Sequence, residues 1–272
     1  MKYILVGMTL FIAVAVQAQV KTRTLEKVME LQVPGEAISG KPGTRGASVA
    51  WHPVQKKYYA AMAGNIDYPM TIFDATGKRV SSIYSSCKAD TRGLWYNPVT
   101  KSIQGNGYDT TGWFSYKLDG TGTTLEQVQI LETGMHQPGQ QLVGAFNPAE
   151  KTVLFLSGDT VISYKAADRK PAGKNLMIRW GISSPTDETS TEGRIENYNY
   201  TTIIYTGLPN AQLGFLNFID FQVELYNQKT GLLTQVLKLP EGAPAETSFN
   251  FAYANGLYWF FNMTERKWIG YK

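Results

Sequence analysis

Trp51-His52-Pro53-Val54-Gln55-Lys56 is followed by Tyr96-Asn97-Pro98-Val99-Thr100-Lys101, and then by Phe146-Asn147-Pro148-Ala149-Glu150-Lys151. Each copy runs aromatic, polar, proline, two variable positions, lysine. An apolar stretch leads in and another leads out. Proline presets φ and lysine suits a solvated tip, so each copy reads as the turn of a hairpin. Thr206-Gly207-Leu208-Pro209-Asn210 and Tyr253-Ala254-Asn255-Gly256 carry turn chemistry at the corresponding place in two drifted copies.

A second phrase recurs downstream of each turn. An aromatic and a polar residue close an apolar stretch at Phe73-Asp74, Tyr116-Lys117, Tyr164-Lys165, Tyr226-Asn227 and Tyr271-Lys272. Five to seven residues earlier stands an acid: Asp67, Asp109, Asp159, Asp220 or Glu265. Successive aromatics are 43, 48, 62 and 45 residues apart. A repeat of about 40 or more residues, rich in short alternating strands, is the signature of a β-propeller blade. The long step is a loop within Gly181–Asn199, rich in Ser, Thr, Glu and Pro, and reads as a surface excursion rather than a sixth blade. The expected fold is all-β: a five-bladed β-propeller of four-stranded antiparallel blades.

The alternation places strands a to d of the first blade at Ala47–Trp51, Lys57–Ala63, Met70–Phe73 and Arg79–Tyr84. In the third blade strand a is expected at Leu142–Phe146 and strand d at Asn175–Arg179, and in the fourth blade strand a at Thr201–Tyr205. The fifth unit has only Ser248–Tyr253, Leu257–Asn262 and Lys267–Tyr271 before the chain stops. Thr24–Val33, strand-like and without a neighbour of its own, is expected beside Lys267–Tyr271, closing the ring and removing a free edge.

Residues 1–18 read as a secretory signal peptide, with Lys2, an apolar run Ile4–Val16 and small residues in Val16-Gln17-Ala18. Cleavage after Ala18 would leave one propeller domain over 19–272, exported to the periplasm or the cell exterior. The apolar run is shorter than the roughly 20 residues a membrane helix needs. No cysteine follows it, so no lipid or other membrane anchor is expected. Cys87 is the lone cysteine, so no internal disulfide forms and the thiol reads as a small buried hydrophobe. The formal charge of +4 is scattered, which argues against a nucleic-acid partner.

The paired phrases resemble the NHL, YncE-like and TolB-like propeller repeats of bacterial exported proteins. The resemblance spans nearly the whole mature chain and implies the fold, and no functional residue is carried over from it. It also implies that segments leading into strand a and the b–c loops share one face, around the mouth of a central channel. On that face the expected ligand-binding residues are Arg45, Arg92, His136, Gln141 and Asn199. Arg45 and Arg92 each directly precede a glycine, and two guanidinium forks suit a carboxylate or phosphate. The alternative pairs them with blade carboxylates such as Asp67 and Asp109. The repeated acids read as turn residues rather than metal ligands, and no metal or cofactor is expected. Trp51, Trp95 and Phe146 read as matching packing positions, while Tyr68, Tyr108, Trp113 and Trp180 are candidates for stacking on a sugar.

Glycoside hydrolysis needs two carboxyl groups flanking one bond. Ala47–Trp51, Gly93–Tyr96 and Leu142–Phe146 carry none. A module that binds a small polar or anionic ligand, carbohydrate included, is therefore favoured over catalysis. The alternatives are a protein-interaction scaffold at the cell surface and a propeller-fold glycoside hydrolase or lyase.

Overall fold

His52, Asn97 and Asn147 explain why the turn phrase recurs. His52 Nδ1 accepts the Gln55 N–H at 3.2 Å, Asn97 Oδ1 the Val99 N–H at 3.0 Å, and Asn147 Oδ1 the Ala149 N–H at 3.0 Å. The lysine that ends each copy is left-handed, with φ of 53° at Lys56, 53° at Lys101 and 54° at Lys151. Asn210 and Asn255 hold the same conformation in the drifted copies, at 61° and 54°. Asparagine adopts this region more readily than most residues.

The computed structural model describes residues 20–35, 40, 42–187 and 194–272. The signal-peptide expectation falls outside them. Two short strands come first, β1 (Lys21–Thr24) and β2 (Lys27–Gln32). The first blade is β3 (Arg45–His52), β4 (Lys57–Ala63) and β5 (Met70–Asp74). The second is β6 (Thr91–Asn97), β7 (Ser102–Gly107), β8 (Trp113–Leu118) and β9 (Leu125–Glu132). The third is β10 (Ala145–Asn147), β11 (Thr152–Ser157), β12 (Thr160–Lys165) and β13 (Pro171–Met177). The fourth is β14 (Ile204–Tyr205), β15 (Leu213–Asn217), β16 (Gln222–Tyr226) and β17 (Leu233–Lys238). The fifth is β18 (Phe251–Ala254), β19 (Leu257–Asn262) and β20 (Lys267–Tyr271), with β2 as its outer strand. The fold is a five-bladed propeller of antiparallel blades.

Several elements differ from expectation. Strand a shortens to Ala145–Asn147 in the third blade and to Ile204–Tyr205 in the fourth, and strand d of the third runs Pro171–Met177 rather than Asn175–Arg179. The fourth strand of the first blade is reduced to single bridges, Phe73 to Arg79 and Pro69 to Ser86. Here the Ser81 hydroxyl takes the Ile72 N–H at 3.0 Å, a local bond that competes with a regular ladder. The closing segment is two strands rather than one. β2 runs antiparallel to β20, from Lys27 opposite Tyr271 to Gln32 opposite Lys267, while β1 runs parallel to β17 at the edge of the fourth blade. Leu25, buried between them, breaks the run and packs with Leu237, Leu239 and Ile269. One strap therefore fastens two blades. Finally, the roots of Gly181–Asn199 are not a surface excursion: Ile182 and Tyr198 are buried, and Trp180 stacks 4.2 Å from Tyr198 at the seam between the third and fourth blades.

The seams between blades are aromatic. At the closing seam Leu31 and Val33 join Tyr58, Phe73, Trp259, Phe261 and Trp268. The glycines after Arg45 and Arg92 are forced by close approach. A Cβ on Gly46 would overlap Trp268, and one on Gly93 would overlap Asn106 and the Gly144 backbone.

Candidate functional site: an aromatic channel open at one end

The strand register puts one aromatic residue per blade at a single position. Trp51 pairs with Tyr58, which pairs with Phe73, the aromatic of the second repeated phrase. The same two steps lead to Tyr164 from Phe146, to Tyr226 from Tyr205 and to Tyr271 from Tyr253, and in the second blade Tyr96 pairs with Ile103, next to the Gln104–Ser115 pair that precedes Tyr116. Trp51, Tyr96, Phe146, Tyr205 and Tyr253 thus stand one turn-length inside the a–b hairpins, and all five line one central cavity of about 460 Å³. Pro53, Pro98 and Pro148 edge its mouth. Trp51, Tyr96, Tyr205 and Tyr253 are half-buried, while Phe146 is buried. The hydroxyls of Tyr96, Tyr205 and Tyr253 make no hydrogen bond with the described residues. Burial raises the pKa of Tyr205 and Tyr253, so both stay protonated donors at neutral pH. Deeper in, the wall is Val49, Leu94, Val143, Ile203 and Phe251, with Ser48 and Thr202 as its polar members. Among the described residues no Asp, Glu, Lys, Arg, His or Cys lines it.

The matching position in the second blade is thus Tyr96, not Trp95. Trp95 lies one residue further in and packs edge-on to Trp113 at 5.4 Å. His52 sits behind the collar, 4.7 Å from the Tyr96 ring, and burial lowers its pKa. Trp113 and Trp180, each 1% exposed, cannot stack on a sugar.

The other end of the channel is sealed. Phe249, 4% exposed, packs with Leu94, Val143 and Ala47 at the axis. Phe249 and Asn250 are both left-handed, with φ of 51° and 57°, an outlier for a bulky residue that its surroundings must over-determine. They do. Thr201 Oγ1 accepts the Phe249 N–H at 2.7 Å, Asn199 Nδ2 donates to the Phe249 carbonyl at 2.9 Å, and the Gly46 N–H donates to Asn250 Oδ1 at 2.7 Å. Asn106 ties the second blade to the third in the same way, donating to the Leu142 carbonyl and accepting the Gly144 N–H.

The five expected ligand residues fall around this seal. Arg92 and Gln141 meet: Arg92 Nε donates to Gln141 Oε1 at 2.9 Å. Arg92 Nη1 also pairs with Asp90 at 2.5 Å, and its guanidinium lies 4.7 Å from the Tyr108 ring centre and 5.7 Å from that of Phe249. Asn199 is fully buried and spends its amide on backbone groups of the seal. His136 is half-buried, with Nε2 at 2.9 Å from the Thr133 carbonyl and 4.0 Å from Glu132. Arg45 is exposed and has no polar partner among the described residues. Of the five, Arg92 and Gln141 are in contact with each other, and none of the five lines the cavity above. The arginine that is buried serves its own blade carboxylate, Asp90 rather than Asp67 or Asp109, and the open cavity lies at the opposite face.

The repeated acids sit on the b–c turns, but asparagine does the capping. Asn65, Asn217 and Asn262 accept the backbone N–H groups of Asp67, Asp220 and Glu265 at 3.0, 3.0 and 2.9 Å. No group of three metal-ligating side chains occurs among the described residues. Cys87 is buried, and burial pushes its thiol pKa up to about 12. Glu224, which no repeat marked out, is a buried carboxylate on β16. It accepts from Tyr198 at 2.7 Å, Tyr226 at 2.5 Å, Gln222 at 2.6 Å and Asn217 at 3.2 Å, which makes it a satisfied strut rather than a free acid.

No family model and no curated protein matches the chain. Among solved structures it is similar to the glutaminyl cyclase of Myxococcus xanthus, at 9% identity and a TM-score of 0.53, over 93% of this chain and 98% of that one. A nidogen/laminin complex is matched at 9% identity and a TM-score of 0.41, over 71% of this chain and 63% of that one. At such identity the first likeness shows the propeller fold alone.

Proposed function

We propose that this protein is an exported binding module whose ligand site is the aromatic collar and the channel behind it. The observation that carries the reading is the collar itself: five blades bring an aromatic residue to one register position around one open cavity. A volume of about 460 Å³ lies in the ordinary range of small-molecule sites, roughly 300–1,000 Å³. The walls are apolar, and three tyrosine hydroxyls are free to orient a ligand, which is the usual division of labour in such sites. Such walls favour an apolar or aromatic group of the ligand, and this reading does not use the polar residues around Arg92.

One structural neighbour is an enzyme, a glutaminyl cyclase. Cyclising chemistry moves protons and wants a carboxylate or imidazole against the substrate. Among the described residues the channel wall offers tyrosine, serine, threonine and asparagine but neither carboxylate nor imidazole, so the binding reading is preferred here. A thermal-shift panel of oligosaccharides, aromatic acids and medium-chain alcohols tests it against wild type and the Trp51→Ala/Tyr253→Ala variant. At least one compound should raise the wild-type Tm and leave the variant unmoved. Equal stabilisation of both proteins by every active compound would sink the reading.

A further inference from the structure

The two repeated phrases put opposite charges on opposite faces. The five acids Asp67, Asp109, Asp159, Asp220 and Glu265 all lie on b–c turns, at the sealed end. Lys56, Lys101 and Lys151 all lie on a–b turns, each three residues beyond the proline that edges the open mouth, and all three are exposed. Glu150 is the acid among them, and it adds to burial in raising the Tyr205 pKa. Val54 and Val99 stand between proline and lysine, 73% and 67% exposed. The wall runs from Ser48 to Pro53 on β3 and the turn after it, about 16 Å at the rise of a strand. The cavity is thus deep and apolar, with Phe249 packed behind its wall residues Leu94 and Val143 and a lysine on three of the five turns beyond its mouth.

Resting on the channel as the binding site, we propose that its ligand is a single-chain anionic amphiphile of the medium-chain carboxylate class. The chain enters between the collar rings, and the carboxylate stays at the mouth. Three features select this chemistry. An ionised group cannot go inside, because the wall holds no counter-charge and burying an unpaired charge is very costly. A sugar would leave most of its hydroxyls unmet along a wall whose polar side chains are few. An aromatic collar alone would take an organic cation through its ring faces, but lysines at three of the five turns repel one. Tyr96, Tyr205 and Tyr253 add hydroxyl donors at the depth where the head group stops.

Titration calorimetry at low ionic strength with decanoate, decan-1-ol and decyltrimethylammonium, each below its micellar concentration, tests the proposal on the full-length mature protein. Decanoate should bind at least tenfold more tightly than decyltrimethylammonium, and the gap should narrow in 0.5 M salt as screening sets in. An exposed ion pair is worth a factor of about 1.4–5. The Lys56→Gln/Lys101→Gln/Lys151→Gln variant should therefore lose about tenfold in decanoate affinity. It should keep its affinity for decanol, which also reports that the variant is folded. Equal affinity for the anionic and cationic probes, or unchanged decanoate binding by the variant, overturns the anionic assignment while leaving the channel as a site. Failure of all three probes overturns the amphiphile altogether, and the thermal-shift panel then decides the binding reading separately.

Discussion

The two ends of the channel are built from the same five strands by opposite means. At the a–b face one position repeats in every blade, and the result is an open ring of aromatic residues. At the b–c face the decisive residues do not repeat. Asn106, Asn199 and Asn250 bridge three different seams, Phe249 fills the axis once, and Arg92 lies against it once. Radial repetition places equivalent side chains around the axis. It makes a mouth easily, and a plug must break the repeat because one ring suffices to fill the centre. The difference predicts where stability and binding part company: the sealed end holds the fold and the open end holds the ligand.

The largest expected effect is at the plug. Phe249→Ala removes a buried ring and should cost about 3–5 kcal/mol, a fall of roughly 10 °C in calorimetric Tm. A fall of less than 2 °C would mean that the axis is not sealed by this ring. Arg92→Ala comes next. It strips Asp90 and Gln141 of a charge-assisted partner and should cost about 1.5–3 kcal/mol. Arg92→Lys should recover only part of that in denaturant melts, because lysine keeps the charge and loses the planar fork. Full recovery would show that charge alone is needed beside Tyr108.

At the open end the balance reverses. Trp51→Ala removes a half-exposed ring that touches Tyr58 at 4.5 Å. It should cost about 1 kcal/mol or less in denaturant melts while abolishing the ligand-induced thermal shift. A larger loss of stability with binding intact would place Trp51 in the scaffold instead. The smallest effect is at His52, where burial lowers the pKa from its ordinary 6.5. Below about pH 6.5 the unfolded chain takes up a proton that the folded chain resists, so this residue withdraws stability as pH falls through that value. His52→Asn installs the residue that Asn97 and Asn147 already use in the same turn. The variant should match wild type at pH 8 and melt at a higher temperature than wild type at pH 5.5. Parallel Tm-against-pH curves for the two proteins would remove His52 from the account.

The sequence by itself determined the blade count, the hairpin turns and the antiparallel closure by β2, because each is a local pattern repeated at a fixed period. Proline, asparagine and left-handed lysine write the turn within six residues, and alternation writes the strands. The same locality explains the misses. Leu25 splits the closing strand only because a pocket between the fourth and fifth blades receives it. Ile182 and Tyr198 sit in a Ser- and Thr-rich stretch that reads as surface until the neighbouring blade covers it. Arg92 looked like a ligand residue because its type and position suit an anion, and only the tertiary structure sets Asp90, Gln141, Tyr108 and Phe249 around it. The collar was half legible. Its members were visible as aromatic residues before each turn, but register across three strands was needed to show that Tyr96 rather than Trp95 belongs with Trp51. Which end of the channel is open lay beyond the repeat entirely, because the seal is made by residues far apart in the chain that meet only when the ring closes.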